Sequence, residues 1–160
     1  MGGSTLYDTD VLAWSREQAA ALRDVARAPA PGSNRVDWDN VIEEIETVGC
    51  NELNAVESHL FNIFVHLLMI RADTGADPVA HWRGEVATFH AAFARTSSPS
   101  MRQRVGLELE WRRARRVACE RLAAYGRTIV LADDTCPYSL DDFLVEAIDI
   151  DALVGRIRML

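Results

Sequence analysis

The stretch "WDNVIEEIETVGCNELNAVESHLFNIFVHLLMIR", residues 38–71, decides the fold. Ile42, Ile45, Val48, Leu53, Val56, Leu60, Ile63 and Leu67 recur in it at spacings of three to five, the period of one face of an α-helix and not of a strand. Asp37 stands just before it, where its side chain can accept from the free amides of the first turn, and Glu43 and Glu44 lie slightly further along. The spacing predicts a helix running to about Arg71, with Gly49 as a bend or short break because glycine is a poor helix former. Its most apolar run, "LFNIFVHLLMI" at 60–70, is about half the length needed to cross a bilayer and carries His66, so it reads as a buried helix.

Outward from this segment the pattern stays helical. Upstream, "DTDVLAWSREQAAALRDVARA" sets Val11, Trp14, Leu22 and Val25 on one side, with Leu12 and Ala21 widening the stripe, Asp8 or Thr9 as cap, and a break at "APAPGSN". Downstream, Asp77 followed by Pro78, and Ser98 followed by Pro99, each read as a helix restart. The first restart leads into a helix through Trp82, Val86, Phe89 and Phe93, and the second into one whose core stripe is Leu107, Trp111, Ala114, Ala118, Leu122 and Tyr125, ended by Gly126. "SLDD" at 139–142 resembles a capping box, "IDIDALVGRIRML" reads as a terminal helix, and "TIVLA" at 128–132 is strand-like without a partner strand. The expected fold is all-α: one domain over residues 1–160, a bundle of five to six helices with short, mostly antiparallel connections.

Composition excludes several chemistries. All 17 basic residues are arginine, so there is no lysine for a Schiff base or a nucleotide-binding phosphate loop. The net charge of −7 disfavours a nucleic-acid partner unless the arginines gather on one face. Cys50, Cys119 and Cys136 are odd in number and widely spaced, which fits free thiols in a reducing cytoplasm better than disulfides or a zinc ribbon. The segment "MGGSTLYDTD" has neither the basic nor the apolar region of a signal peptide, so a cytoplasmic location is expected, with no membrane partner.

The ordered set "YDTDVLAWSREQAAALR" (7–23), "VIEEIETVG" (41–49), "ESHLFNIFVHLL" (57–68), "HWRGEV" (81–86) and "CPYSLDDFL" (136–144) resembles the bacterial family called domain of unknown function 29. The resemblance covers about residues 7–144 and implies a helical fold without assigning an activity, substrate or cofactor. Trp14, Glu43, Glu44, Glu46, Glu57, His66 and Trp82 match the family pattern with no role attached. The chain departs from it at 28–36, a longer loop, and at Met69 and Ile70, where members often carry a lysine and an aromatic residue.

Three constellations carry what chemistry there is. Glu43 and Glu46 lie on one side of their helix beside Ile42 and Ile45, and the plain reading is ion pairing with arginines of a neighbouring helix, above all Arg112, Arg113, Arg115 and Arg116 in "EWRRARR". Those arginines could instead hold nucleic acid, but Glu108 precedes Arg112 by four residues and Trp111 belongs to the core stripe. His81 and Glu85 are four apart and could chelate a metal with His66 and Glu46, giving a metal-binding protein or metal-dependent hydrolase, although no H-E-x-x-H motif is present. No cofactor is expected and no nucleophile motif occurs, so the leading expectation is a non-catalytic module that associates with another protein or with itself through surface tryptophan or leucine.

Overall fold

The structure, a computed structural model, describes residues 5–27, 35–73 and 75–160. Its elements are α1 (Leu6–Thr9), α2 (Val11–Arg27), α3 (Trp38–Ala72), α4 (Ala76–Thr96), α5 (Pro99–Arg102), α6 (Leu107–Ala124), a 3₁₀ turn at Leu140–Phe143 and α7 (Ile150–Arg156). The fold is an all-α bundle, as the periodicity predicts, with no strand among the described residues. Two compact units are formed, one by residues up to Ala55 with Ser97–Arg104, the other by Val56–Thr96 with Val105–Leu160. The continuous helix α3 contributes to both. Most of the loop at 28–36, and the side chain of Asp77 read as a cap, lie outside the described residues; α4 itself begins two positions before Pro78.

In the first unit the predicted face of α2 is corrected. Its buried residues are Leu12, Ser15 and Ala19, whereas Val25 is 49% exposed and Trp14 packs edge-on against Tyr7 of α1 at 4.8 Å. The cause is Gly49, which does not break α3 at all. A Cβ built on Gly49 would lie 2.1 Å from Ser15 Oγ and 3.1 Å from both Leu12 Cδ1 and Ser15 Cβ, so the two helices touch there through their smallest side chains. Small residues set the contact because they allow the backbones to approach, and the bulkier stripe turns away from it.

The cap of α2 is neither Asp8 nor Thr9. Asp8 closes α1, accepting from the Thr5 amide at 3.0 Å and the Thr5 hydroxyl at 2.7 Å. Asp10 caps α2, accepting from the Ala13 amide at 3.1 Å, and the same carboxylate accepts from the Ser98 hydroxyl at 2.8 Å, the Ser100 amide at 2.9 Å and the Ser100 hydroxyl. One buried side chain therefore satisfies free amides at the starts of both α2 and α5. Burial works to raise its pKa, but the hydrogen bonds from Ser100, Ala13 and Ser98 together hold it below the ordinary carboxylate value. Asp37 caps α3 as predicted, through the Asn40 amide at 3.3 Å.

The second unit holds the larger core. From Ile63 to Ile70 every residue of α3 is buried, so neighbours surround this part of the helix instead of leaving it a polar face. On length and composition alone α3 could cross a bilayer, but 56% of its most apolar window is buried inside the protein, as in a core helix. Phe64 is the hub: it lies edge-on to Trp111 at 5.5 Å and to Phe143 at 5.6 Å, and stacks on Tyr138 at 5.7 Å. α6 buries Trp111, Ala114, Ala118 and Leu122 of its predicted stripe, while Tyr125 is 60% exposed. Gly126 ends the helix with φ +66°, a left-handed conformation that glycine adopts without strain.

The strand-like stretch at 128–132 does find a partner. Leu131 forms an antiparallel bridge with Met159, supported by the Ala132 amide donating to Arg158 O and the Leu160 amide donating to Val130 O, both at 3.0 Å. The predicted terminal helix accordingly stops at Arg156, and the last residues run extended to make this clip. Ser139 and Asp142 form the capping box expected of "SLDD", at the start of the 3₁₀ turn.

Candidate functional site

The opening glutamates lie beside α2 in the first unit. Glu46 accepts from Arg23 at 2.6 Å, in a groove of about 440 Å³ also lined by Ile42, Glu43 and Asp39. That hydrogen bond lowers the Glu46 carboxyl pKa and raises that of Arg23. Both side chains are more than a third exposed, so the pair orients the helices more than it stabilises them. The predicted counter-surface is corrected: the arginines of 112–116 that form ion pairs take Glu110 and Asp134, not Glu43 or Glu46. Arg113 reaches Glu110 at 2.7 Å and Arg115 reaches Asp134. Glu108 accepts from the Cys136 amide at 3.1 Å. Glu110 is the unusual member, a buried carboxyl whose pKa is raised by desolvation despite Arg113 beside it.

Two of the predicted metal ligands do come together. His66 of α3 and His81 of α4 line a cavity of about 480 Å³ with Met69, Trp82, Arg121, Ala124 and Tyr125. Trp82 and Tyr125 meet edge-on at 6.0 Å. The His66 ring stacks on Phe89 at 5.9 Å, and its Nδ1 donates to the Asn62 carbonyl at 2.8 Å. A carbonyl can only accept, so the neutral ring carries its proton on Nδ1 and leaves the Nε2 lone pair free. Burial pushes the His66 pKa below its ordinary value, assisted by Arg121 and His81 and opposed by the Asn62 bond and by Glu85. The chelating group is not completed. Among the described residues no three His, Cys, Asp or Glu side chains are grouped so as to hold a metal ion, and Glu46, in the first unit, is engaged by Arg23.

The cavity therefore presents the imidazoles of His66 and His81, the Arg121 guanidinium and an aromatic wall, with an acceptor at His66 Nε2 and donors at Arg121. Cys136 does not line this cavity, and burial pushes its thiol up to about 11, so it stays protonated near neutral pH. Trp14 packs on Tyr7 and Trp82 on Tyr125, Glu44 is exposed, and Glu57 accepts from the Gly106 amide at 3.0 Å, at the start of α6. Arg121 and the buried His90, whose Nε2 donates to Phe143 O at 3.1 Å, were not singled out from sequence. Each acquires its setting only from residues distant along the chain.

A prediction follows from His66. Its folded pKa lies below the unfolded value of 6.5, so the unfolded chain binds more protons, and stability is full above that value and falls as pH drops through it. His66→Gln, which keeps a donor to Asn62 O, should flatten this fall between about pH 7 and 5, as read by urea midpoints at several pH values. The same slope in both proteins would refute the assignment. His59, lowered by burial and by Arg95, keeps its own contribution in either case.

Two faces complete the inventory. Val41, Glu44, Val48, Glu52 and Ala55 are all exposed and recur on one side of α3 at steps of three and four. Leu109, Arg112, Arg113 and Arg116 do the same on α6. Neither Arg112 nor Arg116 is in an ion pair among the described residues.

Comparison with known proteins agrees with this architecture. The sequence profile described as domain of unknown function DUF29 matches residues 6–148. The fold is similar to the crystal structure of an alpha-helical protein of unknown function from Rhodospirillum rubrum, with 30% identity, a TM-score of 0.87, and 98% of this chain and 99% of that one covered. No curated protein is significantly similar to the chain.

Proposed function

We propose, for a chain that belongs to the DUF29 family and takes no activity from that family's description, a function read from its own surfaces: it is a non-catalytic module that associates with a second copy of itself. The observation that carries this reading is the pair of complementary faces. Val41 and Val48 are about 40% exposed, with Glu44 and Glu52 between and beyond them, and no arginine or lysine occurs from Trp38 to Ile70. The α6 face offers Leu109, 41% exposed, and the arginines Arg112 and Arg116. An acidic face carrying valines would repel its own copy, but it matches an arginine face carrying leucine on another molecule. Guanidinium forks suit carboxylates, and the aliphatic residues supply the area that excludes water.

The test is light scattering over a dilution series. Self-association that weakens with salt is expected, because exposed ion pairs are screened. Val48→Asp should weaken it on the order of tenfold, about 1.4 kcal/mol. Glu44→Arg with Glu52→Arg should abolish it, and a mixture of that variant with Arg112→Glu/Arg116→Glu protein should restore it through the swapped pairs. A strict monomer at every concentration, or an oligomer indifferent to these charges, would overturn the reading.

A further inference from the structure

One ring nitrogen in the second unit is left with its lone pair unused. His66 is 7% exposed and spends Nδ1 on the Asn62 carbonyl, which makes Nε2 the acceptor. Nε2 has no hydrogen-bond partner among the described residues, yet it is not sealed in as Ser97 Oγ and the Trp111 indole nitrogen are, so it keeps accessible surface. The surface that His66 presents is the wall of the cavity of about 480 Å³ that it shares with Trp82, Arg121 and Tyr125, a volume in the range of small-molecule sites. The direction of the lone pair is held from two sides, by the Phe89 ring stacked at 5.9 Å and by the Asn62 bond to the other nitrogen.

The rest of the lining sets what can meet it. Arg121 has neither an ion pair nor a hydrogen bond among the described residues, so its guanidinium donors are available. Glu85 and Arg121 act on the His66 charge in opposite senses, so the surroundings favour a ligand without net charge. A metal ion would find no third ligand and would face Arg121. Tyr125, 60% exposed and edge-on to Trp82 at 6.0 Å, supplies aromatic surface against which a flat ring can lie.

We propose that this cavity binds a neutral, planar heterocycle with a lactam edge of the uracil type, its ring N–H donating to His66 Nε2 and its adjacent carbonyl accepting from Arg121. Such an edge offers one donor beside one acceptor, the complement of the imidazole lone pair and the guanidinium. A largely buried acceptor also gives selectivity, because a ligand that lacks the N–H leaves it unpaired. The inference is independent of self-association.

The probe is uridine, whose base carries a single N–H, and the control is 3-methyluridine, which differs only by a methyl group on that nitrogen. Both are added to the full chain labelled with ¹⁵N at histidine, with the His66 ring signals identified by their absence from His66→Gln. In the free protein near pH 7.5 the Nε2 signal should be that of an unprotonated nitrogen. Uridine is expected to move it saturably, and 3-methyluridine to bind weaker by about tenfold or more. Arg121→Met, at an exposed position without a bond to lose, should weaken uridine binding by a similar factor. Ala124→Phe, also at an exposed position, should do the same by filling the cavity from its rim. Matching circular dichroism melts separate loss of the site from loss of the fold. A protonated Nε2 in the free protein, a His66 signal that ignores uridine, an equal response to 3-methyluridine, or unchanged affinity in Arg121→Met would each overturn the proposal.

Discussion

Phe64→Ala is expected to destabilise the protein by about 3–5 kcal/mol, the cost of emptying a buried phenyl site that its surroundings only partly refill. Phe64 is fully buried and meets Trp111, Tyr138 and Phe143 together. Each aromatic pair adds roughly 0.5–1.5 kcal/mol beyond the area it buries, which places the effect toward the upper end of that range. The ring also brings together three separate parts of the second unit: α3, α6 and the segment from Tyr138 to Phe143. Since small domains are stable by only about 5–15 kcal/mol, the loss is a large fraction of the whole. Urea unfolding followed by far-ultraviolet circular dichroism measures it. Phe64→Leu, which keeps most of the volume, should cost less than about 2 kcal/mol. Equal costs for the two variants would mean that the loss comes from the ring contacts and that volume is not limiting.

The second large effect is one where two local rules disagree in sign. Helix propensity alone says that Gly49→Ala, inside the 35-residue helix α3, stabilises by about 1 kcal/mol. The tertiary structure says the reverse, because the new Cβ would meet Ser15 Oγ at 2.1 Å and Ser15 Cβ at 3.1 Å. The Ser15 hydroxyl has little freedom to give way, being buried and donating to Leu12 O at 3.0 Å. Gly49→Ala is expected to cost about 1–2 kcal/mol, and Gly49→Leu, which forces α2 off α3, about 3 kcal/mol or more. In a Ser15→Gly background the obstruction is gone, and Gly49→Ala should then become neutral or stabilising. A double-mutant cycle on denaturant unfolding reads this coupling directly. Stabilisation by Gly49→Ala in the native background would show that the helices do not meet at this position.

The candidate site was legible in part. His66, His81 and Trp82 could be singled out as chemistry-bearing residues, and two of them line one cavity with the third. Sequence spacing could not say that Arg121 lines the same cavity, nor that Glu46 is occupied by Arg23. Periodicity reports which residues share a face of their own helix; it carries no information about which other helix covers that face.

The same division runs through the fold. The sequence by itself determined the all-α class, the length of α3, the Asp37 cap, the Gly126 stop and the "SLDD" box, because each rests on hydrogen bonds or steric preferences spanning only a few neighbouring residues. Only the tertiary structure decided that Gly49 is a contact and not a break, that α2 turns Ser15 and Ala19 inward in place of Trp14 and Val25, and that Asp10 serves α5 as well as α2. It likewise decided that residues 130–132 pair with 158–160. In each of these the deciding partner is at least 26 residues away, and the outcome follows from close packing and from satisfying buried donors across that gap, quantities that no local pattern contains.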